Sequence, residues 1–309
     1  MLPETVLPAA GENIYKHKNI GQIPALKVKG GEIMLKGWYK SGAELIEEMK
    51  TTSLPEKMLA VWYLGQAGIA VKSGDILYGI DLYLRDNDYR QLPVPFKLQE
   101  AGDLFDYCLC THDHEDHLDE ITVKGLASAG GKTQFIVPYP YVSLMESFGI
   151  SRERVLGAKA WEKISLRGAD LLPVPAAHEE FMYDDAGNHC FLGYVLCMEG
   201  GKLYHSGDTV EWQTMTEDLR PAAPDIACLP INGSDWKRKK KNIIGNLNAR
   251  EAADIAEEIG ADLLIPIHFD MFAGNGENPA FVTDYMFRDH PGRKCHVMAP
   301  GERFIYFRG

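Results

Sequence analysis

No pair of cysteines in this chain has the C-x-x-C spacing of a zinc clip or a dithiol centre, although six cysteines are present. Cys108, Cys110, Cys190, Cys197, Cys228 and Cys295 mostly sit in apolar runs such as Ile226-Ala227-Cys228-Leu229. Buried free thiols in a reducing compartment are therefore expected. No window approaches the roughly 20 apolar residues of a membrane span, so no membrane partner is expected. The start, Met1-Leu2-Pro3-Glu4, lacks the basic and apolar regions of a secretion signal, and a cytoplasmic location is expected. Positive charge is in deficit: 32 Lys and Arg against 44 Asp and Glu leave a net charge of −12. That argues against a general role on phosphate backbones, and no nucleic-acid partner is expected. A small anionic substrate stays open, because bound divalent cations reverse the local field. G-x-S-x-G, G-x-x-x-x-G-K-[ST] and the Rossmann fingerprint are all missing, which disfavours serine-nucleophile, P-loop and nicotinamide-dependent chemistry.

What the chain does have is an ordinary globular composition, 45% hydrophobic and 25% charged over 309 residues, enough to bury a large core. Residues 1–40, rich in Gly, Pro and Lys without a clear period, read as an irregular N-terminal arm, and 41–309 as one mixed α/β domain. Ser41–Met49 has the apolar spacing of a short helix. From Met58 the texture turns to short β-like runs: Met58–Leu64, Ile69–Lys72 and Ile76–Asp81, the last two joined by the tight-turn sequence Ser73-Gly74-Asp75. Further strands are expected at Gln134–Val137, Asp170–Val174, Phe191–Met198, Lys202–Ser206, Asp225–Leu229, Leu263–Ile267 and Phe304–Phe307. Asn248-Ala249-Arg250-Glu251 resembles a capping box opening an apolar helix face. Helices are also expected at Ile121–Ala129, Tyr141–Phe148 and Pro279–Arg288.

The densest chemistry is Thr111-His112-Asp113-His114-Glu115-Asp116-His117-Leu118, directly after the strand-like run Tyr107–Cys110. Imidazoles and carboxylates together suit zinc and similar divalent ions, and a strand ending in a loop aims several ligands at one point. Three later strand-to-loop junctions add donors: Pro175-Ala176-Ala177-His178, Tyr204-His205-Ser206-Gly207-Asp208-Thr209 and Leu264-Ile265-Pro266-Ile267-His268. Four such junctions, in this order, point to one metal site.

H-x-H-x-D-H, a lone His, G-D-T and another lone His resemble the ordered signature of the metallo-β-lactamase superfamily. The resemblance implies a four-layer αββα sandwich with the site at one edge. It implies that His112, His114 and His178 hold one metal, that Asp116, His117 and His268 hold the second, and that Asp208 bridges the pair. Within the superfamily, Trp62–Ile69, Thr111–Asp119, Leu203–Asp208 and Ile265–Asp270 are similar to the L-ascorbate-6-phosphate lactonase branch. That branch makes Mn2+ a candidate beside Zn2+, and family members suggest self-association into a homo-oligomer.

Two divalent ions about 3.5–4 Å apart share a water and lower its pKa from 15.7 toward 7. The expected function is thus a binuclear, metal-dependent hydrolase using a metal-bridging hydroxide. It would open a lactone or cleave a related ester, for instance on a phosphorylated sugar acid, with Asp116 and Asp208 as catalytic carboxylates. Two rivals share these ligands: a phosphodiesterase acting on nucleotide, nucleic-acid or phospholipid substrates, and a non-enzymatic metal-binding protein. His205 reads as a core residue or an outer support of the ligands rather than as a ligand. Asp113 and Glu115 read as turn formers or outer acceptors, and Asp270 either orients His268 or belongs to a solvated loop. The run Lys237-Arg238-Lys239-Lys240-Lys241 is either a solvated loop or an overhang whose cations, Lys237, Arg238 and Lys239, attract an anionic substrate. Trp212, Trp236, Phe269 and Phe272 either wall a pocket or pack in the core.

Overall fold

The computed structural model describes residues 37–308; residues 1–36 of the expected N-terminal arm lie outside the described residues. The arm's last residues are tied to the domain, with Trp38 Nε1 donating to the Pro93 carbonyl at 2.8 Å and Tyr39 N to that of Pro300 at 2.7 Å.

Two seven-stranded sheets form the centre. The first contains β1 (Met58–Tyr63), β2 (Ile69–Ser73), β3 (Ile76–Ile80), β4 (Tyr107–Leu109), β5 (Gln134–Pro138) and β6 (Val155–Ala158). The second contains β7 (Ile164–Leu166), β8 (Ala169–Pro175), β9 (Leu192–Met198), β10 (Gly201–His205), β11 (Ile226–Pro230), β12 (Leu263–Ile267) and β13 (Lys294–Cys295). The chain then returns to the first sheet as β14 (Arg303–Phe307), antiparallel to β1. Each sheet is half antiparallel and half parallel, in the orders β14-β1-β2-β3-β4-β5-β6 and β13-β12-β11-β10-β9-β8-β7. Parallel pairing begins at β3–β4 in one and at β10–β11 in the other. The carboxyl ends of parallel strands are where open α/β sheets place ligands.

The strand period of two sorts the core into layers. On β1, Leu59, Val61 and Tyr63 pack between the sheets, against Tyr194, Leu203 and Ile265 of the second sheet. Ala60 and Trp62 face the opposite way, toward α1 (Gly42–Thr51), α2 (Leu98–Ala101), α3 (Glu120–Ala129) and α4 (Val142–Ser147). On the second sheet Val195, Tyr204, Ala227 and Leu264 take the outer side. There they meet α5 (Met215–Leu219), α7 (Ala249–Glu258) and α8 (Ala280–Asp289). Helix, sheet, sheet and helix therefore stack as the expected αββα sandwich. One further helix, α6 (Trp236–Lys240), lies in the connection between β11 and α7.

The expected strands and helices are present within a few residues at each end. Six elements had no expectation: β6, β7, β13, α2, α5 and α6. All are two to five residues long, too short for a hydrophobic period to declare itself. The solvated-loop reading of Lys237–Lys241 is corrected by α6. Asp235 caps that helix, its side chain accepting from Lys237 N at 2.7 Å and Arg238 N at 3.0 Å. All six cysteines are free, as expected.

The capping box is complete: Asn248 Oδ1 accepts from Arg250 N and Glu251 N, and the Glu251 side chain accepts from Asn248 N at 2.9 Å. Because α7 carries much of the outer core, Asn248→Ala should destabilise the protein by about 1 kcal/mol, read as a lower denaturant midpoint at an unchanged m-value.

Candidate metal centre

Each expected ligand is delivered by a strand that ends at the same edge of the sandwich. After β4, the chain turns tightly through His112–His117, with His117 N and Leu118 N both donating to the His114 carbonyl at 2.9 and 2.8 Å. The turn closes on Asp119, which caps α3 by accepting from Thr122 N at 2.8 Å. After β8, Ala177 N donates to Thr209 Oγ1 at 3.1 Å and the Ala177 carbonyl accepts from Val210 N at 2.7 Å. Those bonds set His178 beside the loop that carries Asp208. After β10, Gly207 has φ 63°, and a Cβ there would lie 2.7 Å from the Thr111 side chain; only glycine lets the two loops approach. After β12, His268 takes φ 59° and donates its N–H to the Gln66 carbonyl at 2.7 Å.

All seven expected metal residues come together, in two groups. His112, His114, His178 and Asp208 each present a donor atom within 4.8 Å of the others, and so do Asp116, His117 and His268. Asp208 faces both groups. Its Oδ1 lies 3.3 Å from His117 Nε2 and 3.3 Å from His268 Nε2, while its Oδ2 lies 3.9 Å from His178 Nε2. Asp116 Oδ2 stands 3.4 Å from His268 Nε2 and 3.6 Å from His117 Nε2.

The surroundings are dry. His112, His117, His178, Asp208 and His268 are buried. Burial alone disfavours charge on every imidazole, but the carboxylates divide the rings into two classes. At His117 burial is outweighed by Asp208, Asp81 and Asp116, which hold its pKa well above the ordinary value. At His268 the same opposition, with Asp208 foremost, pushes the pKa up to about 9. His112 and His178 stay neutral, burial holding the first well below its ordinary value and bringing the second down to about 4. Asp208 is held well below the usual carboxylate range by His268 and His117, against the effect of its own burial.

The donor set fits a cation. His112 Nε2, His117 Nε2, His178 Nδ1 and Asp208 Oδ1 are buried without a hydrogen-bond partner. Stranded polar atoms of this kind cost about 1–3 kcal/mol apiece, a cost that coordination to a cation would remove. Nitrogen and carboxylate donors in this mixture suit zinc, manganese and similar divalent metals.

Two residues without an assigned role in the sequence reading belong to this centre. Asp81 ends β3 with φ 48° and is fully buried. It accepts from Thr111 N at 2.8 Å, from Thr111 Oγ1 at 2.7 Å and from His117 Nδ1 at 2.7 Å. The Asp81 contact assigns the His117 proton to Nδ1 and leaves Nε2 to face the centre. Gln66, in the turn between β1 and β2, places its amide Nε2 2.8 Å from Asp116 Oδ2. The signal for Asp81 was its position, a carboxylate at the end of an otherwise apolar strand; for Gln66 no period or spacing gave one.

The supporting residues sort clearly. His205 is an outer support, its Nε2–H donating to the Ala67 carbonyl at 2.8 Å and its Nδ1 accepting from Gly207 N at 3.1 Å. Glu115 pairs with Arg85. Asp270 neither orients the His268 ring nor lies in a solvated loop, because its Oδ1 accepts from Gln66 N at 3.0 Å. Phe269 stacks on Tyr63, Phe272 packs against Tyr83, and Trp212 packs against Phe181. Trp236 is exposed, with Lys240 over its ring. The aromatic side chain that lines the ligands is Phe191, 4.8 Å from the His112 ring and 5.3 Å from that of His178. Lys239 Nζ reaches to 3.8 Å from Glu179, beside His178, whereas Arg238 is bound to its own cap, Asp235, and to the Gly276 carbonyl.

Compared with known families, residues 75–269 match the β-lactamase superfamily domain, a stretch that runs from just before Asp81 to just past His268. The chain belongs to that superfamily. Among its relatives, a metal-dependent hydrolase of Hyperthermus butylicus is 25% identical over 250 residues, covering 80% of this chain and 99% of the relative. The protein named "Probable L-ascorbate-6-phosphate lactonase UlaG" in Escherichia coli O139:H28 is 22% identical over 277 residues, covering 77% of each chain. The solved structure of Igni18, a metallo hydrolase of Ignicoccus hospitalis, shares the fold with a TM-score of 0.65 at 21% identity, over 82% of this chain and 100% of that one. Among the described residues, no helix of this superfamily member is long and apolar enough to cross a membrane.

Protonated His268 competes with any cation. Its raised pKa of about 9 means that it carries a proton at neutral pH, which a metal must displace. Divalent ions added to the metal-free protein should therefore release protons at pH 7, and their affinity should rise as pH climbs toward 9. Calorimetric titration in buffers of different ionisation enthalpy measures both effects.

Proposed function

We propose that this protein is a binuclear, metal-dependent hydrolase that opens a lactone or cleaves a related ester, with an anionic small molecule as substrate. The observation that carries the proposal is the placement of Asp208, one carboxylate oxygen turned to each ligand group. In this reading His112, His114 and His178 would hold one divalent ion, Zn2+ or Mn2+, and Asp116, His117 and His268 the other, with Asp208 shared between the two groups.

Bound ions at these positions supply Lewis acidity and lower the pKa of water toward neutrality, so that no Ser or Cys nucleophile is needed. The protein's own groups do the rest. Asp81 fixes the tautomer and the angle of His117 through the 2.7 Å contact to Nδ1. Phe191 covers one side of the His112, His114 and His178 rings and keeps bulk water from them. Asp116, the more exposed of the two carboxylates at 22% against 6%, is placed to accept a proton from the attacking water and return it to the leaving oxygen. A lactone suits that arrangement, because its alkoxide leaves more readily than an amine anion and demands less of a general acid. Lys237 and Lys239, exposed on α6, give an acidic protein a local cationic rim near His178 through the Lys239–Glu179 contact. Arg238 is engaged in holding α6 together, so it has no share in this role. Likeness to the Escherichia coli protein named a probable L-ascorbate-6-phosphate lactonase supports the lactone reading over a phosphodiester one.

Metal-loaded protein offered sugar-phosphate lactones, homoserine lactones and phosphodiesters should turn over lactones. Turnover of phosphodiesters alone would defeat the proposal, and no turnover of any of them with metal bound would favour a binding protein. Asp208→Asn should lower kcat on the order of 10²-fold or more, since the centre contributes several kcal/mol of transition-state stabilisation. Replacing Lys237 and Lys239 together by Ser should raise KM several-fold for anionic lactones and leave neutral ones unchanged.

A further inference from the structure

One buried polar side chain faces the centre without being a ligand in the proposed reading. Gln66 sits at the tip of Leu64-Gly65-Gln66-Ala67-Gly68, which joins β1 to β2, and it is 2% exposed. It lies outside the stretch that matches the superfamily domain.

Its backbone is fastened on every side. The Gln66 N–H donates to Asp270 Oδ1 at 3.0 Å, and its carbonyl accepts from His268 N at 2.7 Å and from the Tyr63 hydroxyl at 3.1 Å. The residue takes φ 58°, the left-handed region that a side chain rarely adopts. Of the eight described non-glycine residues with positive φ, four flank this centre: Gln66, Asp81, Glu179 and His268. A buried carboxamide costs desolvation unless partners put its polar atoms to use, so this side chain has a function to account for.

That function is visible in the amide. Nε2 lies 2.8 Å from Asp116 Oδ2 and 2.9 Å from His268 Nε2. The opposite flip would put the amide oxygen against a carboxylate oxygen, so the N–H donors face Asp116. This arrangement belongs to the neutral His268 that a bound cation requires, since a protonated Nε2 at 2.9 Å would oppose the amide N–H. No other hydrogen bond to the Asp116 carboxylate occurs among the described residues. The histidine nitrogens near it stand at 3.4 and 3.6 Å.

We propose that Gln66 is a positioning residue of the hydrolytic centre, whose side-chain N–H sets the orientation of the Asp116 carboxylate toward His117 and His268. The inference rests on the metal reading of those three residues. An unrestrained carboxylate at the open rim would rotate; the Gln66 bond leaves it one orientation, with the other oxygen free. Because the Gln66 carbonyl also holds His268 N, a single turn aligns two of the three donors in that group.

The test compares Zn2+ and Co2+ binding by the wild type and by Gln66→Met, which keeps the length of the side chain and removes the donor. One class of ion should bind about 10–100-fold more weakly in the variant, the other within about twofold. The Co2+ absorption bands of the weakened class should shift, and the metal-free melting temperature should stay the same. Equal affinities and identical Co2+ spectra in the two proteins would overturn the positioning role while leaving the metal reading intact. Failure of the wild type to bind any ion would overturn both. If Gln66→Met does not fold, NMR of the wild type labelled at glutamine decides. A Gln66 amide proton protected from solvent exchange is expected, and exchange of both protons at the free-amide rate would overturn the proposal.

Discussion

A buried carboxylate that has no hydrogen-bond donor on one of its oxygens governs this structure. Asp208 is in the dry interior, yet its Oδ1 meets only two imidazole edges at 3.3 Å. An ionised group taken out of water costs several kcal/mol unless partners restore what hydration supplied. Without a cation, His117 and His268 restore it by holding protons, which is why their pKa values rise against burial. With a cation the same electrostatic demand is met by the ion, and the imidazoles are released as neutral donors. The raised histidines and the depressed Asp208 are thus two views of one buried negative charge.

Holding that charge in place takes rigidity, and the fold supplies it at strand ends. Thr111 receives both ends of the constraint: its N–H and hydroxyl bind Asp81, and its carbonyl accepts from Leu192 of the second sheet at 3.0 Å. Tyr194 adds a second tie between the sheets, its hydroxyl donating to the Cys110 carbonyl at 2.8 Å. The HxHxDH loop is therefore clamped to both sheets immediately before its first histidine. Backbone strain gathers at the same edge, at Asp81, Gln66 and His268, and persists because these bonds over-determine the geometry.

The same physics explains what could be read from the sequence. Strands β1 to β3 and β8 to β12 announce themselves through alternating or continuous apolar runs, and α7 through its cap. Side chains suited to a divalent ion come from few types, His and Asp prominent among them, so the candidates cluster visibly in the sequence, and the structure brings all seven together. A residue that acts on a ligand is under no such restriction. Asp81 lies 36 positions from the His117 it orients and Gln66 lies 50 from Asp116, separations that no local pattern encodes. For Lys237–Lys241 composition suggested a solvated loop, because five cations in a row look like a solvated stretch. One Asp235 side chain, capping two N–H groups, was enough to wind it into a helix.

The division between ligands and rim also bears on specificity. Every donor atom comes from a strand terminus fixed by the sheets, whereas the residues around the opening come from connections: 178–191 beside His178, 231–248 with α6, and 269–277 after His268. The second and third are held to each other by Asn232 Nδ2 donating to Asn275 Oδ1 at 3.0 Å, and within the second Asn246 Nδ2 braces Asn232 by donating to its Oδ1 at 3.2 Å. Arg238 joins them again at the Gly276 carbonyl. Changes at the outer parts of these connections leave the sheets, and the strand ends that carry the candidate ligands, untouched. In the proposed reading the chemistry of the centre and the choice of substrate would be set by different parts of the chain, a division by which one superfamily fold can keep its reaction and alter what it acts on. In that reading Lys237 and Lys239 would tune which molecule arrives, while Asp208, Asp81 and Gln66 would govern what happens to it.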